Sequence, residues 1–228
     1  MRHLTDLSPF IENAILDPMA NKLQIEAACD QSRYFNFAGV CVSSRDTSIA
    51  RERLGGKGYV KLIVMIGFPF GSIAQNIKQA EAEQAASEGA DELDIVPNFS
   101  ALQNGDINSF ADEIALICEL GLPVKVILEL ARLEEQLLKL AIEASIDAGA
   151  TFLKTSSGLG PPVTAKQVKY LFNLVRGRAG IKAAGGICDL DTSFELLDAG
   201  ANRLGTSRAL DLMKALTKNT YLKESDNE

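Results

Sequence analysis

The feature that most limits what this chain can become is an alternation. Eight short β-type runs, at 10–16, 38–42, 61–66, 92–96, 124–129, 152–156, 181–184 and 202–206, are separated by stretches long enough for amphipathic helices. Helices are expected at 77–87, 133–148 and 164–175, the last opened by a Thr164…Gln167 capping box. Eight strands alternating with helices predict an α/β chain closed into a (β/α)8 TIM barrel. A doubly wound open sheet is the competing architecture, but the first βα junction lacks the GxGxxG that would favour it. At 228 residues the chain is near the lower end for a barrel, and no Pro/Ser-rich linker divides it. A single domain over 1–228 is expected, with 1–9 and 222–228 as terminal extensions, the latter polar and frayed.

An internal echo supports the barrel. Gly89-Ala-Asp-Glu-Leu-Asp94, Gly149-Ala-Thr-Phe-Leu-Lys154 and Gly200-Ala-Asn-Arg-Leu-Gly205 share one frame: a Gly suited to ending a helix, an Ala, then a strand. Asp94, Lys154 and Gly205 therefore occupy equivalent places on their strands. Strand side chains alternate between the barrel interior and the helix layer, so apolar neighbours reveal which way a charged residue points. Leu93 and Ile95 turn Asp94 inward; Val124 and Val126 do the same for Lys125, Leu153 for Lys154, and Ile181 with Ala183 for Lys182.

Composition narrows the chemistry. The single His is at position 3, so a metal site built on clustered imidazoles is excluded, and no metal or organic cofactor is expected. A formal net charge of -7 argues against nucleic acid as a partner. Cys29, Cys41, Cys118 and Cys188 lie far apart with no CxxC, and MRHLTDLSPF has no long apolar run, which together read as a reduced cytoplasmic protein. Apolar runs such as 62–66 are too short to cross a bilayer, so no membrane association is expected.

Three inward lysines require an explanation, because an unpaired ammonium in a packed interior costs several kcal/mol. For any one of them, a salt-bridged plug with Asp94, Glu129 and Glu12, or snorkelling to solvent, is the simpler account. The set of three favours a site. An amine attacks a carbonyl only when neutral, and a neighbouring cation with desolvation promotes that state. A Lys154/Lys182 pair thus suits a Schiff-base enzyme in which Asp94 relays protons through water and the protonated imine is the electron sink. Gly185-Gly186 after the seventh strand and Gly205-Thr206-Ser207 after the eighth stand where barrels commonly hold phosphate through backbone N–H groups. Ser157 and Gly158 extend that grip.

These residues fall into a known pattern. Gly67-Phe-Pro-Phe-Gly71, Lys78, Glu81 and Gly89-Ala-Asp-Glu-Leu-Asp-Ile-Val-Pro-Asn98 form a long ordered match to the deoxyribose-phosphate aldolases, class I aldolases, and the chain resembles that family over roughly 10–210. The match continues through Val40-Cys-Val42, Lys125-Val-Ile-Leu-Glu129, Ala148 to Gly158, Lys182-Ala-Ala-Gly-Gly186 and Arg203-Leu-Gly-Thr-Ser207. The resemblance implies that Lys154 forms the Schiff base, Lys182 lowers its pKa and Asp94 activates water. It also implies that Gly158, Gly185, Gly186, Gly205 and Ser207 grip a phosphosugar, 2-deoxy-D-ribose 5-phosphate, which is cleaved to acetaldehyde and D-glyceraldehyde 3-phosphate. Lys125 would support the site electrostatically, with Cys41 on a bordering strand, where a small core residue is the plainer reading.

The chain departs from the pattern in places. Where many members read IDHT it has Ile11-Glu12-Asn13-Ala14, leaving Glu12 as an acidic group one methylene longer; Leu130 and Cys188 replace commonly polar residues, and Tyr221 is followed by seven more residues. Two further readings follow: the same chemistry on a different phosphosugar, or a phosphosugar-binding barrel that has lost turnover. The sequence leaves homo-oligomerisation open.

Overall fold

The computed structural model describes residues 7–225. Eight parallel strands, β1 (Ile11–Ile15), β2 (Gly39–Ser43), β3 (Lys61–Ile66), β4 (Glu92–Ile95), β5 (Val124–Ile127), β6 (Phe152–Lys154), β7 (Gly180–Ala184) and β8 (Arg203–Thr206), are ordered sequentially around a closed barrel. Closure is made by β1 and β8, with Ile11 opposite Leu204 and Glu12 opposite Gly205. The helices are α1 (Lys22–Tyr34), α2 (Thr47–Leu54), α3 (Gln75–Ser87), α4 (Phe99–Gln103), α5 (Ile107–Cys118), α6 (Glu135–Asp147), α7 (Ala165–Val175), α8 (Leu190–Asp198) and α9 (Ala209–Ser225). The barrel and the single-domain organisation are as the alternation predicts.

The local signals do the work expected of them. Thr164 caps α7 by accepting from the Gln167 N–H while the Gln167 side chain accepts from the Thr164 N–H. The Gly-Ala echo is a repeated helix stop: Gly89, Gly149 and Gly200 have φ of 98°, 101° and 117°. The Ala after each sends its N–H back to a helix carbonyl, Ala90 to Ala85, Ala150 to Ser145 and Ala201 to Leu196, the 6→1 bond of a Schellman motif. Each strand then starts at the same distance from its helix, which is why Asp94, Lys154 and Gly205 all face the interior.

Two apolar layers result. Leu93, Ile95, Val124, Val126, Leu153, Ile181 and Ala183 are buried against the helices, while Cys41, Ile63, Met65, Val96 and Ile127 form a smaller cluster within the barrel. Leu7 is fully buried and Ser8–Phe10 form a 3-10 turn leading into β1, so the amino-terminal extension is shorter than 1–9. α9 runs to Ser225; the remainder of the expected extensions, 1–6 and 226–228 with His3, lies outside the described residues. No helix among the described residues is long and apolar enough to cross a membrane.

Candidate active site

The barrel interior is a layered charge network. Asp94, on β4, is fully buried and gives Oδ1 to Lys125 Nζ at 3.0 Å and Oδ2 to both Lys182 Nζ at 2.7 Å and Lys154 Nζ at 3.1 Å. Glu12, on β1, touches Lys182 and lies 3.7 Å from Lys125 and 3.8 Å from Arg203 Nε. Glu92, two residues before Asp94 on the same strand, reaches Lys125 at 2.5 Å. Three inward lysines therefore meet three carboxylates, which is how this interior tolerates its charge.

That balance sets the protonation states. Burial alone would raise Asp94, but Lys125, Lys182 and Lys154 outweigh it and hold the carboxyl well below the usual range. Burial alone would push Lys182 and Lys125 down, yet Asp94 and Glu12 outweigh it and keep both ammoniums above theirs. Lys182 is thus a fixed cation beside the same carboxylate oxygen that holds Lys154.

Glu129 does not join the plug. It has a positive φ of 50°, and its Oε1 accepts the Ser157 N–H at 2.7 Å, so the local backbone turns it away from the lysines and towards the β6 loop. β5 consequently ends at Ile127, short of the expected 129.

Above the network, at the carboxyl end of the strands, opens a cavity of about 1010 Å³. Lys154 and Lys182 border it, as do Cys41, Ser157, Gly158, Gly185, Gly186, Gly205 and Ser207. Asp94, Glu12 and Lys125 do not; they lie beneath it, Asp94 in contact with both cavity lysines and Glu12 with Lys182. Lys154 Nζ is also 3.5 Å from Met65 Sδ, part of the inner apolar cluster, so its amine stands at a polar–apolar boundary. Burial pushes the Cys41 thiol up, which suits a wall residue better than a nucleophile.

Other parts of the wall were not among the expected site residues. Ser43 at the end of β2, Ser44 and Arg45 after it, Phe68 and Pro69 after β3, and Arg208 after Ser207 all border the cavity. One side chain outside it fixes two of these loops: Glu81, on α3, accepts from Ser44 Oγ at 2.6 Å and from the Gly67 N–H at 2.7 Å. Among the described residues no group of His, Cys, Asp and Glu is arranged to hold a metal.

A closed parallel barrel with paired lysines under a cavity at the carboxyl end of its strands defines a class, the barrel lyases of aldolase type. The chain belongs to the deoxyribose-phosphate aldolase family. It is 44% identical over 209 residues to the deoxyribose-phosphate aldolase of Trichormus variabilis, covering 91% of this chain and 92% of that protein. Against the deoxyribose-phosphate aldolase of Thermosynechococcus vestitus it is 43% identical over 212 residues, covering 92% and 97%. Among solved structures, the aldolase QR15 superposes with a TM-score of 0.89 at 34% identity, covering 95% of this chain and 98% of that one. A tetrameric deoxyribose phosphate aldolase from Aeropyrum pernix gives 0.84 at 30% identity, covering 96% and 92%. No protein-family model matches the chain.

Proposed function

We propose that this protein reversibly cleaves 2-deoxy-D-ribose 5-phosphate to acetaldehyde and D-glyceraldehyde 3-phosphate through a Schiff base on Lys154. The observation that carries the reading is the unequal grip on the two cavity lysines. Lys182 is held by two carboxylates, Asp94 and Glu12, whereas Lys154 touches one, Asp94, and leans on Met65. Lys182 is kept charged by those carboxylates, and Lys154, with fewer partners and its amine on the cavity side, is the one placed to attack a carbonyl.

Neutral Lys154 Nζ attacks the C1 carbonyl of the open-chain sugar, and loss of water leaves a protonated imine. Removal of the C3 hydroxyl proton lets the C2–C3 bond break, its electron pair passing into the imine as an enamine while C3 becomes the aldehyde of glyceraldehyde 3-phosphate. Protonation at C2 and hydrolysis by water release acetaldehyde and regenerate the amine. Protons pass between substrate and cavity water beside the Lys182 ammonium, which Asp94 holds in place from beneath. No cofactor enters, since the imine is itself the electron sink. Gly185, Gly186, Gly205 and Ser207 hold the phosphate and Gly158, whose N–H goes to Ser156 Oγ, shapes the neighbouring turn; a phosphosugar substrate is supported by the names of the relatives.

Cleavage of 2-deoxyribose 5-phosphate, followed alongside a small panel of other phosphosugars, tests the reading. Preference for the deoxy sugar supports it. Preference for another sugar moves the substrate, and binding without turnover overturns the activity.

A further inference from the structure

We propose that Glu129 is a positioning residue that presents the Ser157 hydroxyl to the phosphate end of the substrate, an inference resting on the phosphosugar reading above. The β5–β6 ladder slips at this point. Leu128 donates to the Lys154 carbonyl, so in an unbroken parallel ladder Leu130 would reach Ser156; it reaches Thr155 instead. The surplus residue on β5 is Glu129, whose φ of 50° absorbs the slip. A left-handed backbone is unfavourable for a residue with a side chain, and such positions collect where function needs a particular direction.

The direction is given by the partner. Glu129 is buried, no ion pair among the described residues includes it, and its carboxylate accepts the Ser157 N–H at 2.7 Å. A buried carboxylate held by one backbone N–H is a costly choice for mere packing. Ser157, Gly158 and Leu159 border the cavity, yet their N–H groups are taken: by Glu129, by Ser156 Oγ at 2.9 Å and by Ser157 Oγ at 3.4 Å. What these three still offer a ligand is the Ser157 hydroxyl hydrogen. The turn also abuts the glycine pair after β7, since a Cβ on Gly185 would stand 2.9 Å from Ser156 Oγ. Ser157 therefore works on the same flank as Gly185 and Gly186.

Steady-state kinetics of Glu129→Gly, Glu129→Gln and Ser157→Ala, on 2-deoxyribose 5-phosphate and on 2-deoxyribose, test this. Glycine adopts the positive φ freely, so Glu129→Gly removes the carboxylate without straining the chain. The ratio of kcat/KM on the ester to that on the free sugar should fall roughly tenfold in Glu129→Gly and in Ser157→Ala, mainly through KM, as for one lost hydrogen bond to a charged ligand. Glu129→Gln keeps an acceptor for the Ser157 N–H and should restore the ratio to within roughly threefold of the wild type. The double variant Glu129→Gly/Ser157→Ala should fall no further than Ser157→Ala alone. An unchanged ratio in Glu129→Gly, or additive losses in the double variant, overturns the inference while leaving the aldolase reading in place. Wild-type protein that cleaves neither sugar overturns both.

Discussion

A Cβ on Gly205 would stand 2.8 Å from Cε of Lys182. The bare backbone of β8 is therefore the floor on which the lysine of β7 lies, and it is what lets Lys182 Nζ come within 2.7 Å of Asp94. Gly205 serves the charge network as well as the cavity wall. Gly205→Ala should displace the ammonium, cost about 1–3 kcal/mol of stability by overpacking, and lower kcat more than it changes KM. Kinetics alongside thermal melts check this; a variant with wild-type kcat would show that Lys182 has room to spare.

Asp94 is the hub that three ammoniums share, so its loss should be felt through the whole interior. Asp94→Asn should lower unfolding stability by about 3–5 kcal/mol, the cost of leaving buried charge uncompensated. Chemical denaturation measures it. A loss below about 1 kcal/mol would mean that Glu12 and Glu92 suffice.

A second buried pair lies outside the barrel. Lys78 on α3 is wholly buried, its Nζ 2.9 Å from both Glu113 oxygens on α5, and Glu113 also accepts the Asn98 N–H at 2.8 Å. Lys78→Met should cost about 3–5 kcal/mol, while adding Glu113→Gln should cost less than the two single losses combined. A denaturation cycle over the four proteins reads the coupling, and strict additivity would contradict a paired role.

Stability should hold a plateau across neutral pH with edges of known sign. Asp94 is held below its ordinary range, so its contribution is present above the unfolded carboxylate value near 4 and is lost only as pH falls through the lower folded value. Burial pushes the Cys29 and Cys118 thiols up to about 11, so their contribution is complete below the unfolded value of 9.0 and is lost as pH rises towards 11. Tm measured against pH should begin to fall near pH 9, and less steeply in Cys29→Ala/Cys118→Ala. An equal slope in that variant would assign the alkaline edge to other groups.

Much of this site can be read from period-two alternation, because Asp94, Lys125, Lys154 and Lys182 are each flanked by residues that must face helices. The same rule carried two residues back points to Glu92, which lies at the strand start, where charge ordinarily meets solvent. Alternation fails at Glu129, since a left-handed residue reverses the side chain's direction and nothing in Val-Ile-Leu-Glu-Leu announces it. The placement of Ser44 and Phe68 on the cavity wall was beyond reach for another reason. Their loops are placed by Glu81, a contact across 37 residues in one case and 14 in the other, set by packing and not by local spacing.

The central claim, an imine on Lys154, is tested most directly by borohydride reduction in the presence of acetaldehyde, followed by peptide mass spectrometry. Reduction should add a two-carbon ethyl group to Lys154 and leave Lys182 and Lys125 unmodified, while Lys154→Leu should fold and take up no label. An adduct on Lys182, or none on a protein that still cleaves the sugar, would contradict the account.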